Sequence, residues 1–441
     1  MVTERDQQFL LPPNMRDWLP EDHLAWFVID VVDQLDLDRF RSGYRSDGHG
    51  RAAYDPAMMV AVLLYAYCSG LRSSRVIERR CVEDIAFRVL AGGHCPDHVT
   101  IARFRQRHAD ALAAVLVDSL RLCAEAGLVR LGVVALDGTR MAANAARDAN
   151  RTLGDLDDEV ARMIAEADEI DRAEDNDDDD HLPPGLADRN GRLARLQAAR
   201  QRLADTADER RQRFEDRTTA LNQARAAKGL PPRTFTPRPR SEAPQPDARA
   251  NTTDPDSRML LARGGSLQGY NAQAVTTDGQ IIVAAEVTQA INDVEQLEPM
   301  IDATNRTLEA AGIDRRPDAL VADAGYWRAD NVDGSIASPE LFISVARASR
   351  RGKPRRNGAP SGAKSNHLIE AMNDRLSTER GQQLLRMRRT TIEPIFGQIK
   401  DGRGARRFSR RGLVAVQAEW QLLAATHNLL KLWRHRTATA G

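Results

Sequence analysis

Apolar residues change their spacing twice along this chain, and the changes divide it. From about residue 20 to 125 they recur at helical intervals. Leu24, Phe27, Val28, Val31 and Val32 mark one amphipathic helix, and the nearly unbroken run over 57–68 marks a buried one. Asp97 or Thr100 is placed to cap a further helix carrying Ile101, Phe104 and His108, with Arg103, Arg105 and Arg107 on its outer side. At Val133-Val134-Ala135-Leu136-Asp137 the pattern becomes a short aliphatic run, and it does so again at Ala319-Leu320-Val321-Ala322-Asp323. Each reads as a buried strand closed by an acidic residue and a turn, at Gly138 and at Gly325. Residues 270–277 and 280–288 read as a hairpin joined at Asp278-Gly279, 294–312 as a helix, and Leu341–Val345 as another strand. Thr390–Lys400 reads as a helix with Ile392, Ile395, Phe396 and Ile399 inward; Pro394 requires it to start near Thr390 or to kink.

This order predicts an α/β fold: a mixed sheet flanked by helices, preceded by an all-α domain and interrupted by an insertion. The expected divisions are a helical domain at 1–130, the first part of the core at 131–149, the insertion at 150–250, and the rest of the core with a basic C-terminal region at 251–436. Within the insertion, residues 150–228 are charged and alanine-rich, with Leu186, Leu193, Ala207, Phe214 and Leu221 on a seven-residue repeat that Arg200 breaks. They read as a helical hairpin turning at the acidic tip Asp175–Asp180 and Pro183-Pro184. Gly229 to Ala250 carries six prolines and no period, as a flexible linker would.

The formal charge is zero, 63 basic residues against 63 acidic, yet the charges are segregated. Arg347 to Arg411 holds 18 Lys plus Arg against 5 Asp plus Glu, a net of +13, whereas Asp148 to Asp188 holds 16 acidic against 3 basic, a net of −13. The basic block surrounds Glu393, which favours phosphate binding over a merely solvated face. Four cysteines give no disulfide framework, and His94-Cys95-Pro96-Asp97-His98 lacks the paired spacing of a structural zinc site. The apolar run Pro56–Leu71 is too short to span a bilayer, and no signal peptide is evident, so a cytoplasmic, nucleoid-associated protein without membrane contact is expected.

Two strand-end aspartates and a helical glutamate are the donors that hard cations take. A pair of such cations clamps the attacking and leaving oxygens of a phosphodiester. Asp137, Asp323 and Glu393 should therefore meet in one cleft, within about 5–8 Å of one another. The surrounding segments carry a resemblance: DGTRMAANA from Asp137, TDPDSRML from Thr253, GGSLQGYNAQAVTTDGQIIVAAEVT from Gly264, LVADAGYW from Leu320 and RRTTIEPIFGQIK from Arg388. With YDPAMMVAVLLYAYCSGLRSSRVIERR from Tyr54 and PDHVTIARFRQRH from Pro96, the chain resembles insertion-sequence DDE transposases over about residues 15–432, the insertion apart.

The resemblance implies an RNase-H-like catalytic domain with Asp137, Asp323 and Glu393 as catalytic metal ligands. It also implies two Mg2+ ions (Mn2+ as substitute), and cleavage and strand transfer at terminal inverted repeats. Double-stranded DNA, ends and target alike, is the implied partner, bound by a homodimer and contacted at the ends by the helical N-terminal domain. Related transposases carry a tyrosine, arginine, glutamate, lysine signature at the glutamate; this chain matches at Arg389, Glu393 and Lys400 and has Arg386 in the tyrosine's place. On a continuous helix Arg389, Glu393 and Lys400 fall within about 40° of each other, so both cations are expected to grip phosphate beside the carboxylate. Arg403, Arg406 and Arg407 are expected to bind DNA, Trp327 (with Tyr326) to stack on an extruded base, and Asn271 and Thr139 to support the site. Two other readings compete: a decayed relic that only binds DNA, and a metal-dependent nuclease without strand transfer.

Overall fold

The computed structural model describes residues 14–42, 44, 53–174, 186–227, 229–234, 247–262, 265–334, 336, 339–345 and 363–440. The acidic tip, Pro183-Pro184, most of the proline-rich linker and the basic stretch 347–360 lie outside these residues. Before residue 130 the chain is helical, with α1 (Leu24–Val32), α2 (Asp38–Arg41), α3 (Pro56–Cys68), α4 (Ser74–Glu83), α5 (Ile85–Leu90), α6 (His98–Arg107) and α7 (Ala109–Glu125). Pro56 opens α3 behind the cap Asp55, and Asp97 caps α6 by accepting from Thr100 N–H at 2.7 Å. One expectation for α6 fails. Arg105 points inward and is buried, donating to the Arg72 carbonyl at 2.7 Å and to Ser74, while Arg103 and Arg107 are exposed.

The remaining elements are β1 (Val133–Ala142), β2 (Asn150–Thr152), α8 (Leu153–Glu174), α9 (Leu186–Ala226), β3 (Arg249–Asn251), β4 (Arg258–Ala262), β5 (Gly265–Thr277) and β6 (Ile282–Thr288). They are followed by α10 (Leu297–Ala310), β7 (Ala319–Ala322), α11 (Ala329–Val332), β8 (Glu340–Ile343), α12 (Ala363–Ser377), α13 (Glu379–Gly397) and α14 (Leu413–Ala440). They gather, with the N-terminal helices, into two compact units. The first comprises 1–141, 271–409 and 414–441; the second comprises 142–270 and 410–413. The sequence divisions at 130 and 250 therefore differ from the structural ones. The N-terminal helices belong with the sheet because both hang on α14. Arg72 pairs with Glu419 at 3.1 Å, and the Cys68 and Cys123 thiols reach the Thr426 and Asn428 carbonyls.

In the first unit the strand order is β6-β5-β1-β7-β8, with β1, β7 and β8 mutually parallel and β5 antiparallel to β6. The mixed sheet and helical N-terminus agree with the predicted α/β class. From Val416 to Leu429 α14 is buried on nearly every side, polar residues Glu419, Thr426, His427 and Asn428 included. It buries Trp420, Leu423, Leu429 and Leu432, and its buried Asn428 bonds both the N–H and the C=O of Ile282 (2.8 and 2.9 Å). The β5–β6 turn differs from a two-residue Asp-Gly hairpin. Thr277 accepts from Gln280 N–H, and Gln280 itself holds the left-handed conformation at φ 63°, the three-residue alternative.

In the second unit α8 packs on α9, β2 pairs with β3, and β4 pairs with the first half of β5. The helical hairpin was foreseen, but its seam was not. Leu196, Ala199 and Leu203 pack with Leu156 and Ala250, whereas Leu221 of the proposed heptad is exposed and Leu193 and Phe214 are only half-buried. Among the described residues no helix is long and apolar enough to cross a membrane.

Candidate active site

β1 and β7 run parallel in the register Val133↔Ala319 to Leu136↔Ala322. Asp137 and Asp323 are each the next residue, so they leave the paired strands side by side, on backbones about 4.8 Å apart. β1 does not stop at Gly138; it runs on to Ala142, and Asp137 marks where it parts from β7 rather than where it ends. Glycines follow both aspartates for want of room. A Cβ on Gly138 would stand 2.3 Å from Gln273 Nε2 and 2.8 Å from Asp293 Oδ1, and one on Gly325 would stand 2.8 Å from Asp323 Oδ1. Each aspartate accepts a backbone N–H at 2.8 Å, Asp137 from Gly138 and Asp323 from Gly325.

Glu393 comes from α13, which begins at Glu379 and carries Pro394 inside it, so of the two expected outcomes a start near Thr390 is the one ruled out. A proline strips the i−4 carbonyl of its donor. Here that carbonyl is Thr390 C=O, and Gln280 Nε2 supplies the missing bond at 3.1 Å. Leu384, Arg388, Ile392 and Ile395 recur at offsets of 4, 8 and 11 and form the inward stripe. The stripe carries Arg388 to the sheet, where Nη1 meets Asp137 Oδ2 at 2.7 Å and Nη2 stands 3.9 Å from Glu393 Oε1. Arg389, expected to grip phosphate, is exposed. One guanidinium thus touches two carboxylates 256 residues apart, and the third lies beside the first. Burial pushes the Asp137 carboxyl up to about 6; Arg388 pulls it down, and the neighbouring Asp323 charge raises it again.

After α13 the backbone makes a π-turn over Gln398–Gly402, which rotates Lys400 off the expected stripe. Its ammonium donates to Thr139 Oγ1 and to the Arg140 carbonyl at 2.7 Å, fastening β1 just past Asp137. Burial lowers the Lys400 pKa, with Arg406 adding to the effect. A polar network of which the sequence singled out Asn271 and Tyr326, but not its centre Asp293, lies behind the aspartates. Asp293 accepts from Asn271 (2.7 Å), Gln273 (2.8 Å) and Arg140 (3.3 Å), and Tyr326 donates its hydroxyl to Gln273. Asp293 sits in an irregular segment after β6 where no pattern singles it out. Tyr326 is fully buried and excluded from base stacking; Trp327 is half-buried.

Arg403 is a further correction. Its guanidinium is turned into α14, donating to Thr426 Oγ1 at 2.8 Å and the Leu423 carbonyl at 3.1 Å, and burial lowers its pKa to about 10. It holds the fold rather than a phosphate. Arg406 and Arg407 are exposed, Arg406 beside Asp401 at 2.7 Å.

A family model described as Transposase domain (DUF772) matches residues 13–107, and one described as Transposase DDE domain matches residues 347–433. Both ends of the chain thus match models of transposase domains. Together the matches support an insertion-sequence DDE transposase. The second contains Glu393, Arg388 and Lys400, while Asp137 and Asp323 fall between the two. No curated protein and no solved structure matches the chain. Divalent metals are usual in DDE transposases, and the donor set fits them: three carboxylates, two of them side by side, call for a hard compensating cation. Among the described residues no group of three or more His, Cys, Asp or Glu side chains is drawn up as a ready cage. The cation in contact is the Arg388 guanidinium.

Proposed function

We propose that this transposase cleaves DNA at the ends of its insertion sequence and transfers the freed strand to new DNA, using Asp137, Asp323 and Glu393. The observation that carries the reading is the convergence of Asp137 and Glu393 on one guanidinium, with Asp323 in register beside Asp137. The strand order, three parallel strands continued by an antiparallel pair, supports an RNase-H-like core. The three carboxylates would hold two magnesium ions, or manganese in their place. When bound, these lower the pKa of the attacking water and offset the negative charge developing on phosphorus.

The chain's own groups prepare the site. The Gly138 and Gly325 N–H groups orient the two aspartates, Lys400 and the Asp293 network fix the strand ends, and the Gln280 bond steadies the helix presenting Glu393. The exposed Arg389, Arg406 and Arg407 would meet duplex phosphates, and Trp327 an unpaired base. Pairing of two ends calls for a homodimer, in the cytoplasm and on the nucleoid. The test is a gel-shift and a cleavage assay on one end-bearing duplex. Asp323→Asn should bind nearly as wild type and fail to cut in magnesium. Cutting at the wild-type rate would refute the reading, and loss of binding would make Asp323 structural. Joining of a cut end to a second duplex separates the transposase from a plain nuclease.

A further inference from the structure

We infer that Arg388 is a built-in competitor for the metal: its guanidinium holds the carboxylates together until a divalent cation takes its place on Asp137. This rests on the metal-dependent reading above. Both oxygens of Asp137 already carry a donor, Oδ1 the Gly138 N–H and Oδ2 the Arg388 guanidinium at 2.7 Å, so an incoming cation must share an oxygen, and on Oδ2 it shares with another cation. The Gly138 donor belongs to a backbone enclosed by Gln273, Asn271 and Asp293 and has no room to leave. The arginine is the partner able to move, because it swings on a flexible side chain while its backbone stays in α13. A guanidinium and a divalent cation on one carboxylate oxygen repel each other, and the repulsion is strong at this partly desolvated place, where Arg388 is 13% and Asp137 18% exposed. Glu393 is the looser end of the bridge, at 3.9 Å and 56% exposed, so the opening starts there.

The arrangement serves a transposase: without metal the guanidinium offsets part of the carboxylate charge and orders the site, and an uncharged guanidinium is never available to act as a base. Once displaced, the same side chain is a free cation next to the scissile phosphate's position. Arg388 is therefore a positioning residue whose removal should strengthen metal binding while harming the metal-free protein.

The experiment titrates Mn2+ into the full-length protein without DNA, by calorimetry, comparing wild type, Arg388→Gln, Arg388→Lys and Asp137→Asn. Thermal unfolding is followed in parallel with and without Mn2+. Arg388→Gln should bind Mn2+ at least tenfold more tightly than wild type, and it should melt lower without metal and regain more on adding it. Arg388→Lys, which keeps the charge and loses the fork, should fall between; if the glutamine variant does not fold, the lysine variant against wild type decides. Unchanged or weaker binding in the Arg388 variants, with binding to wild type lost in Asp137→Asn, overturns the competition and leaves the carboxylate reading standing. Failure of Mn2+ to bind wild type and every variant overturns both.

Discussion

Gln280 joins three elements, and replacing it tests whether the turn and α13 are coupled as described. Its side chain donates to Thr390 C=O at 3.1 Å and accepts from Lys431 Nζ at 2.7 Å, while its own carbonyl meets His427 Nε2 at 2.9 Å. Gln280→Ala removes the two side-chain bonds and keeps the left-handed φ of 63°. A neutral bond contributes about 0.5–1.5 kcal/mol net, and the partly exposed lysine bond, screened by solvent, below about 1 kcal/mol. The alanine variant should therefore lose roughly 1–2 kcal/mol. Gln280→Gly loses the same bonds but relieves a left-handed conformation costing about 1 kcal/mol or more, so it should be the more stable variant by about that amount.

The five tryptophans, at 18, 26, 327, 420 and 433, all lie in the first unit, so fluorescence during urea unfolding reports on the unit that contains Gln280. Cleavage should not separate the variants, since both leave the carbonyl that Pro394 freed, three residues before Glu393, without its donor. An alanine variant as stable as the glycine one, or cleavage unchanged in both, would refute the reasoning.

Other outcomes follow from the same geometry. Arg403→Ala should lower the melting temperature and leave the salt dependence of DNA binding unchanged. Neutralising Arg406 and Arg407 should instead flatten the slope of log K against log salt by up to about 2 units, read by gel-shift at several salt concentrations. Arg105→Ala should destabilise the first unit by roughly 2–4 kcal/mol, since it strips a charged donor from the Arg72 carbonyl and from Ser74; Arg103→Ala, on the exposed side, should cost little in the same urea assay. His427 is neutral in the fold, burial having depressed it from 6.5 to about 3, with Arg403 adding to the effect. The unfolded chain takes the proton first, so stability present above pH 6.5 is lost as pH falls toward 3. The loss is about 1.4 kcal/mol per unit, and urea titrations of His427→Gln should lack this dependence.

The two aspartates were legible because a run of aliphatic residues has one plausible home, a buried strand, and the acidic residue closing it must stand at its rim. Their adjacency was not legible, since it depends on the β1–β7 register. Arg388 and Arg389 are neighbours of identical chemistry, and counting from Glu393 favours the residue four before it. The helix is oriented by Leu384, Ile392 and Ile395 instead, and their stripe passes through Arg388. Lys400, expected on phosphate, bonds Thr139 and the Arg140 carbonyl instead, because the π-turn that contains it invalidates angles taken from a regular helix. In α9 alanine and arginine alternate so freely that several periods fit. Leu196, Ala199 and Leu203 win only because Leu156 and Ala250 lie against them.

Pro394 shows why such errors cluster at the site. Local rules place a helix start or a kink there, and both rules assume that the freed carbonyl must find water or an end of the helix. Gln280, 110 residues before Thr390, supplies the donor, and the helix carrying Glu393 continues past the proline. The side chains that bend a local rule at this site, Gln280 at Pro394 and Arg388 at the carboxylates, are polar groups reaching across elements. Their partners are fixed only once the sheet is assembled. Apolar periodicity specifies which faces are buried; it carries no information about which charged group spans the gap between them. That is why spacing singles out the acidic residues at the strand rims and not the cation that reaches Asp137.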